Sequence, residues 1–180
     1  MWIALIKKYW RVSLFKETPA NTPYSVLLLG LIAVFFFLLV VVQWTLADIE
    51  QQYSVISSIL SGVALVLSYS MYTYVLLFLF QQSNRMVQTL TCLLAGHTIV
   101  HLCAFPLLLL VPWFAEAKIV EPLILFIGFV YLILTLILTI WQFMVTVHIY
   151  KHALGIGYIS SLLASIGLLA FNILVVSIWR

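Results

Sequence analysis

Long apolar runs, separated by short polar stretches, fill most of this chain. A helix needs about 20 apolar residues to cross a bilayer, and five of the runs reach that length. Their approximate bounds are residues 24–46, 54–80, 87–111, 122–148 and 158–179. The pattern therefore predicts an all-α protein, a polytopic transmembrane helical bundle with about five spans.

A shorter stretch, residues 2–15, precedes the first span and is amphipathic rather than uniformly apolar. With 100° between successive residues of a helix, Lys7, Lys8 and Arg11 fall together on one narrow face. Apolar side chains cover the broad opposite face: Trp2, Leu5, Ile6, Tyr9, Trp10 and Val12. The stretch is too short to span a membrane, so we expect it to lie in the headgroup plane as an anchor on the lipid surface. A binding role toward a particular lipid or a protein partner is the alternative.

Pro19 and Pro23 follow this stretch and resist the continuation of a helix, because proline lacks the backbone donor that a helix needs. We expect a stiff elbow at this point. We therefore divide the chain into a cytoplasmic amphipathic segment with its elbow, residues 1–23, and a five-helix transmembrane domain, residues 24–180.

Composition agrees with a membrane protein and narrows its partners. The mean hydropathy is +1.24, and only 7% of the residues are charged, whereas soluble domains carry roughly 25%. With the 180 residues mostly committed to spans, little chain is left for a soluble domain that could hold an active site. The net charge of +3 is not massed on one surface, so no nucleic-acid partner is expected. The expected partners are the lipid bilayer and other membrane subunits or a second copy of the chain.

Charged residues separate onto the two sides of the predicted spans. Six basic residues fall on the side of the N-terminus: Lys7, Lys8, Arg11, Lys16, Arg85 and Lys151. The other side carries four acidic residues and two basic ones: Asp48, Glu50, Glu116, Glu121, Lys118 and Arg180. Short loops rich in lysine and arginine stay in the cytoplasm. We therefore expect a bacterial inner-membrane protein with its N-terminus in the cytoplasm and its C-terminus in the periplasm.

Charged groups are missing from the middle of every predicted span. Coupled transporters and pumps usually place such groups there as relays or counter-ions, so the sequence offers no support for coupled transport. No Ser-His-Asp set, Cys-His pair, paired carboxylates or glycine-rich phosphate loop can be assembled either. We therefore predict that the protein is not an enzyme and that it has no cofactor.

Two histidines within the third span are the only side chains that suggest a cofactor. His97 and His101 are four residues apart and share a helix face, a spacing compatible with two ligands of one metal or with haem. A second axial ligand from His148 is disfavoured, because that residue lies near the cytoplasmic end of its span and His97 lies much deeper. We interpret both as hydrogen-bonded structural histidines. A haem- or metal-binding membrane subunit, or a passive transporter, built around His97 and His101 is the alternative.

Cys92 and Cys103 are the two cysteines of the chain, and both fall in the third span. On a helix they are too far apart to form a disulfide and point away from the face of the two histidines. We expect both to be buried free thiols that pack as small hydrophobic groups.

Small polar residues form a stripe in each of two spans and predict helix-packing seams, because small side chains let helices approach closely. The stripe in the second span includes Ser54, Ser57, Ser58, Ser61, Gly62 and Ser68, and that in the fifth consists of Gly157, Ser161, Ser165 and Asn172. Leu168 is placed off the second of these seams, on the lipid face. We favour seams that close within one bundle, with contacts between chains as the alternative.

The order of these elements resembles that of the Yip1 family of small membrane proteins. The likeness consists of a short N-terminal region, a proline elbow, five spans and a similar last hairpin, from Trp141-Gln142-Phe143 through Tyr150 to Ser161. The long soluble region and the Asp-Leu-Tyr-Gly-Pro type motif of eukaryotic members are absent, so binding of small GTPases is not implied. The resemblance implies a membrane-embedded interaction or membrane-organising protein. We therefore expect a non-enzymatic scaffold, accessory subunit or membrane-organising partner of a larger complex.

Overall fold

The fold is known from a computed structural model that describes residues 2–48, 54–111 and 122–178. Within these ranges the chain forms six α-helices, two short 3-10 turns and no strand. The helices are α1 (Trp2–Ser13), α2 (Val26–Ala47), α3 (Val55–Leu79), α4 (Met86–Leu108), α5 (Pro122–Leu154) and α6 (Tyr158–Ser177). Helices α2 to α6 are long and apolar enough to cross a membrane. The predicted all-α fold with five spans is confirmed, and these helices fit an integral membrane protein.

Serine side chains begin two of the spans. The hydroxyl of Ser25 accepts from the backbone N–H of Leu28 at 3.2 Å, and that of Ser54 accepts from the N–H of Ser57 at 3.1 Å. Each hydroxyl pairs a donor that the first turn of a helix otherwise leaves unpaired. Ser54, predicted as part of a packing stripe, therefore acts as a helix cap.

The elbow between α1 and α2 is a 3-10 turn, Pro19–Asn21, with extended backbone on both sides. The hydroxyl of Thr22 donates to the carbonyl of Pro19 at 2.6 Å and closes the turn. The amide of Gln88 on α4 donates to the carbonyl of Thr22 at 2.8 Å. The elbow is therefore tied to the bundle as well as stiffened by its prolines.

Some predicted bounds differ from the observed ones. The fourth span was predicted to end at residue 148, but α5 continues as far as Leu154, and the turn is made by Gly155, whose φ of 68° strongly favours glycine. Nothing before Gly155 breaks a helix, and Lys151 and His152 favour its C-terminal turn electrostatically. The predicted third span continued to residue 111, but α4 ends at Leu108. Of the charged residues predicted on the side opposite the N-terminus, five lie outside the described residues: Glu50, Glu116, Lys118, Glu121 and Arg180.

Helix α4 forms the centre of the bundle and packs against α1, α2, α3 and α5. Every side chain from Thr89 to Thr98 is buried. Gly96 allows the closest approach, because a Cβ atom at this position would lie 2.8 Å from Cγ1 of Val145 on α5. Helix α6 completes the bundle by packing against α3 and α5.

Helix α1 is docked on the bundle, which the sequence did not indicate. Tyr9 and Val12, predicted to face lipid, are buried, whereas Trp2 and Ile6 of the same predicted face remain exposed. The indole N–H of Trp141 on α5 donates to the backbone carbonyl of Ser13 at 2.8 Å. The apolar face of α1 is therefore divided between the bundle and the surroundings, because the helix lies against α4 rather than apart from it.

One of the two cysteine predictions is wrong. Cys92 is buried, but Cys103 is exposed, although the two residues lie at almost the same angle around the helix. The difference comes from their positions along α4, since Cys92 lies against the elbow, with its thiol 3.5 Å from the hydroxyl of Thr22, and Cys103 lies about three helical turns further on. Both thiols are free.

Candidate functional site

A network of uncharged polar side chains crosses the interior of the bundle. Its members come from four spans: Ser68 and Tyr69 on α3, His97 on α4, Gln142 and Thr146 on α5, and Asn172 on α6. Polar groups inside a membrane are stable only when they are paired, so these contacts hold the four helices in register.

His97 is the centre of this network. Its Nδ1 atom lies 2.7 Å from the hydroxyl of Tyr69 and 2.8 Å from the side-chain nitrogen of Gln142. Its Nε2 atom lies 2.8 Å from the hydroxyl of Thr146. That hydroxyl donates to the backbone carbonyl of Gln142 at 3.2 Å, which leaves it as the acceptor for an Nε2–H group. The contacts therefore describe a neutral imidazole that is protonated at Nε2 and engaged at both nitrogens.

His101 has different partners, on α2. The side-chain nitrogen of Gln43 donates to the backbone carbonyl of His101 at 2.8 Å, and its oxygen lies 2.6 Å from Nδ1 of the same residue. The ring also meets the edge of Phe36, with 5.7 Å between ring centroids. The two histidines share a helix face, as predicted from their spacing, but they do not converge on one point.

The stripe predicted in the fifth span divides in the structure. Ser161, Ser165 and Asn172 are buried, and Asn172 bonds to Ser68 on α3, so this seam closes within the chain. Gly157 does not belong to it, because it is exposed and caps the N-terminus of α6. Leu168 was placed on the lipid face, but it is buried on the seam.

The residues of the stripe predicted in the second span differ in how deeply they are buried. Ser61 is fully buried, and Ser57 is half-buried near the start of α3. Gly62 faces α2, where an added Cβ atom would lie 2.8 Å from Cγ2 of Val41. This close approach is the reason for a glycine at that point of the helix pair.

Two cavities adjoin the histidines. The first, of about 120 Å³, is lined by His97, Asn172 and Ser165 among others. The second, of about 230 Å³, is the cleft between α2, α4 and α5 and is lined by His101. Thr139 and Gln142 border both cavities. The arrangement can hold an uncharged molecule by hydrogen bonds within the membrane.

Metal binding would need a closer set of ligands than this. In the part of the chain that the structure describes, no three His, Cys, Asp or Glu side chains converge. His97 uses both nitrogens for protein contacts, and His101 uses Nδ1.

Comparison with family models, with curated proteins and with solved structures found no match.

The basic end of the bundle is partly neutralised by its own chain. Arg11 forms an ion pair with Glu17 at 3.4 Å, whereas Lys7 is exposed and Lys8 is half-buried. His148 donates from Nε2 to the backbone carbonyl of Glu17 at 2.8 Å, so it ties α5 to the elbow. Of the three basic residues predicted at the lipid surface, Lys7, Lys8 and Arg11, one is therefore already paired.

Tyr9 is the other notable group at this end. Burial raises the pKa of its phenol, and the nearby Cys92 acts in the same direction. The phenol oxygen is buried and has no hydrogen-bond partner among the described residues. A buried unpaired hydroxyl opposes the docking of α1, so the apolar contacts of that helix must outweigh it.

Proposed function

We propose that the protein is a non-enzymatic accessory or membrane-organising subunit that packs against a transmembrane helix of another protein. The first half of α5, from Leu123 to Ile140, is named here the free half of α5, and the contact surface is the side of it that faces away from α2 and α4. The observation that carries the proposal is the lack of any buried side chain along this half-helix.

The free half of α5 differs from the other spans in how little of it touches the bundle. Its most apolar 18-residue window has no buried residue, whereas the corresponding window of α4 is 56% buried. Helix α5 has 33 residues and is therefore about 50 Å long, against a hydrocarbon thickness of about 30 Å. Its partner in the last hairpin, α6, has only 20 residues. The N-terminal part of α5 therefore extends beyond the far end of α6.

A partner helix suits this surface better than a soluble partner does. Its exposed side chains are large and apolar, and its two threonines, Thr135 and Thr139, donate to their own backbone. In a membrane such side chains contact lipid tails or a second helix, and van der Waals packing favours the second helix where the two surfaces fit closely. The seam on α6 is closed within the chain, so it is not available for this purpose. The Yip1-like order of elements adds to the proposal.

We also propose an orientation with the N-terminus in the cytoplasm of a bacterium. Contacts bring the predicted cytoplasmic elements together: Arg85 donates to the backbone carbonyls of His152 and Ala153 at 3.2 Å, and His148 binds the elbow. The basic residues of α1, of the turn before α4 and of the end of α5 therefore lie at one end of the bundle. Clustering of this kind favours the cytoplasmic side.

Site-directed photo-crosslinking tests the proposed contact. A benzophenone amino acid replaces Leu132 in the free half of α5, and a matched control replaces Leu67 on α3; the two side chains are 61% and 62% exposed. We expect a discrete protein adduct from position 132 and only lipid adducts from position 67. Mass spectrometry identifies the crosslinked protein and the helix that carries the adduct. A benzophenone amino acid placed in that helix of the partner should then crosslink to the free half of α5.

Three results would contradict the proposal. Equal adduct patterns at positions 132 and 67 would show that the free half of α5 is an ordinary lipid-facing surface. An adduct containing two copies of this chain would make the protein a self-associating one rather than an accessory subunit. A partner with no transmembrane segment would exclude helix packing as the mode of contact.

A further inference from the structure

The cleft beside His101 has a lining of uncharged polar and apolar side chains that takes no part in the proposed accessory role. It lies between α2, α4 and α5, at the depth where α5 ceases to pack against the bundle, and has a volume of about 230 Å³. Its apolar lining includes Leu107, Leu108 and Leu138. Its polar lining carries no charge, so any ligand has to be recognised by hydrogen bonds.

His101 presents a hydrogen-bond acceptor to this cleft. A backbone carbonyl only accepts, so the Gln43 atom that lies 2.8 Å from the carbonyl of His101 is the amide nitrogen. The other amide atom is therefore the oxygen, and Nδ1 of His101 must donate to it. A neutral imidazole protonated at Nδ1 has a lone pair at Nε2. No described residue lies in hydrogen-bonding position to that atom.

Two hydroxyls on the opposite wall are acceptors as well. Thr135 donates to the carbonyl of Tyr131 at 2.9 Å, and Thr139 donates to the carbonyl of Thr135 at 2.8 Å. Each hydroxyl has only one proton, so its oxygen can offer only lone pairs to a ligand. The two residues are four apart and share one face of α5. Trp44 and Tyr131 also line the cleft, and each already has a contact of its own.

The acceptors on these two walls lie beside the side-chain amides of Gln43 and Gln142, in an uncharged site bordered by lipid-facing helices, and they favour a ligand that can donate a hydrogen bond. We propose that the cleft binds an uncharged, lipid-soluble molecule that donates a hydrogen bond, namely an alcohol or a phenol. Its hydroxyl donates to His101 Nε2 or to a threonine oxygen, and its apolar part lies against the leucines. Unpaired acceptors are unfavourable in a membrane, and such a hydroxyl satisfies one of them.

Saturable binding of 4-nonylphenol to the full-length protein in lipid nanodiscs tests this proposal. Empty nanodiscs measure the partition of the phenol into lipid, which does not saturate. 4-Nonylanisole, the methyl ether of the same phenol, keeps the shape but has no proton to donate. We expect one saturable site for the phenol and at least about tenfold weaker binding of the ether, since a hydrogen bond in such a site is lost.

Variants locate the site. Thr139→Val removes one acceptor at constant shape and is expected to weaken binding by roughly fivefold. Thr45→Val is the matched control, because Thr45 is also an exposed threonine that donates to a carbonyl four residues earlier, and it is not in the cleft. His101→Phe is expected to weaken binding more than Thr139→Val does. If His101→Phe does not fold, the difference in phenol binding between Thr139→Val and Thr45→Val still tests whether the phenol binds in the cleft.

The proposal fails if binding does not saturate, or if the ether binds as tightly as the phenol. It also fails if Thr139→Val and Thr45→Val bind equally, because the phenol then lies elsewhere. These outcomes are independent of the crosslinking result at Leu132, so the accessory role and the ligand site stand or fall separately.

Discussion

Gly96 is the position at which a single methyl group should matter most. An alanine Cβ would lie 2.8 Å from Cγ1 of Val145 and 3.5 Å from Oγ of Ser13, where carbon atoms normally stay about 3.5–4.0 Å apart. Val145 is fully buried and β-branched, so it cannot turn away easily. Overpacking of this kind costs about 1–3 kcal/mol.

Gly30→Ala is the control, because an added Cβ there meets nothing within 4 Å. Alanine is the better helix former by about 1 kcal/mol, and this gain applies to both variants. We therefore expect Gly96→Ala to be less stable than Gly30→Ala by about 1–3 kcal/mol, measured by reversible unfolding in mixed detergent micelles followed by circular dichroism.

A double-mutant cycle separates this clash from other causes. In a Val145→Ala background the clashing methyl group is gone, so Gly96→Ala should lose about half or more of its effect, a coupling of about 1 kcal/mol. If Gly96→Ala is as stable as Gly30→Ala, or if its effect is unchanged in the Val145→Ala background, α4 and α5 do not approach as described.

Two further predictions concern the α6 seam and the membrane orientation. Ser165→Leu, at a buried position, should lower the free energy of unfolding by about 1–3 kcal/mol in the same assay. Leu169→Phe, at an exposed position, is the control and should change that free energy little. Equal effects of the two substitutions would contradict a packing seam at Ser165. A reporter fused after Arg180 should be extracytoplasmic and one inserted at Gln81 cytoplasmic. Two cytoplasmic reporters would contradict the three spans that follow Gln81, and exchanged locations would contradict the orientation.

The spans could be predicted from the sequence because run length alone determines whether a helix can cross a membrane. Helix ends were less certain, as at Leu154, where no breaker precedes Gly155. The docking of α1 could not be predicted, because it depends on a hydrogen bond between Trp141 and Ser13, 128 residues apart. Periodicity describes one helix at a time and carries no information about which helices meet.

The same limit explains the errors at the candidate site. His97 and His101 could be found because histidine is rare inside spans, but their partners Tyr69, Gln142 and Gln43 come from other helices and were missed. Uncharged polar residues within apolar runs were the signal that could have found them. Leu168 was misplaced although it follows Ser165 by three residues and precedes Asn172 by four, a spacing that puts all three on one face.

The contrast between the two halves of α4 connects the fold to both proposals. Its first half is enclosed on every side, with Gly96 in close contact with α5 and His97 bonded to three side chains. Its second half borders the cleft, where His101 is held by α2 alone. Helix α5 therefore has a fixed half and a free half, and the cleft opens where they meet. In this part of α5, one face carries Thr135 and Thr139 and lines the cleft, and the other faces carry exposed apolar side chains. A hydroxyl ligand and a partner helix can therefore bind to different faces of the same helix.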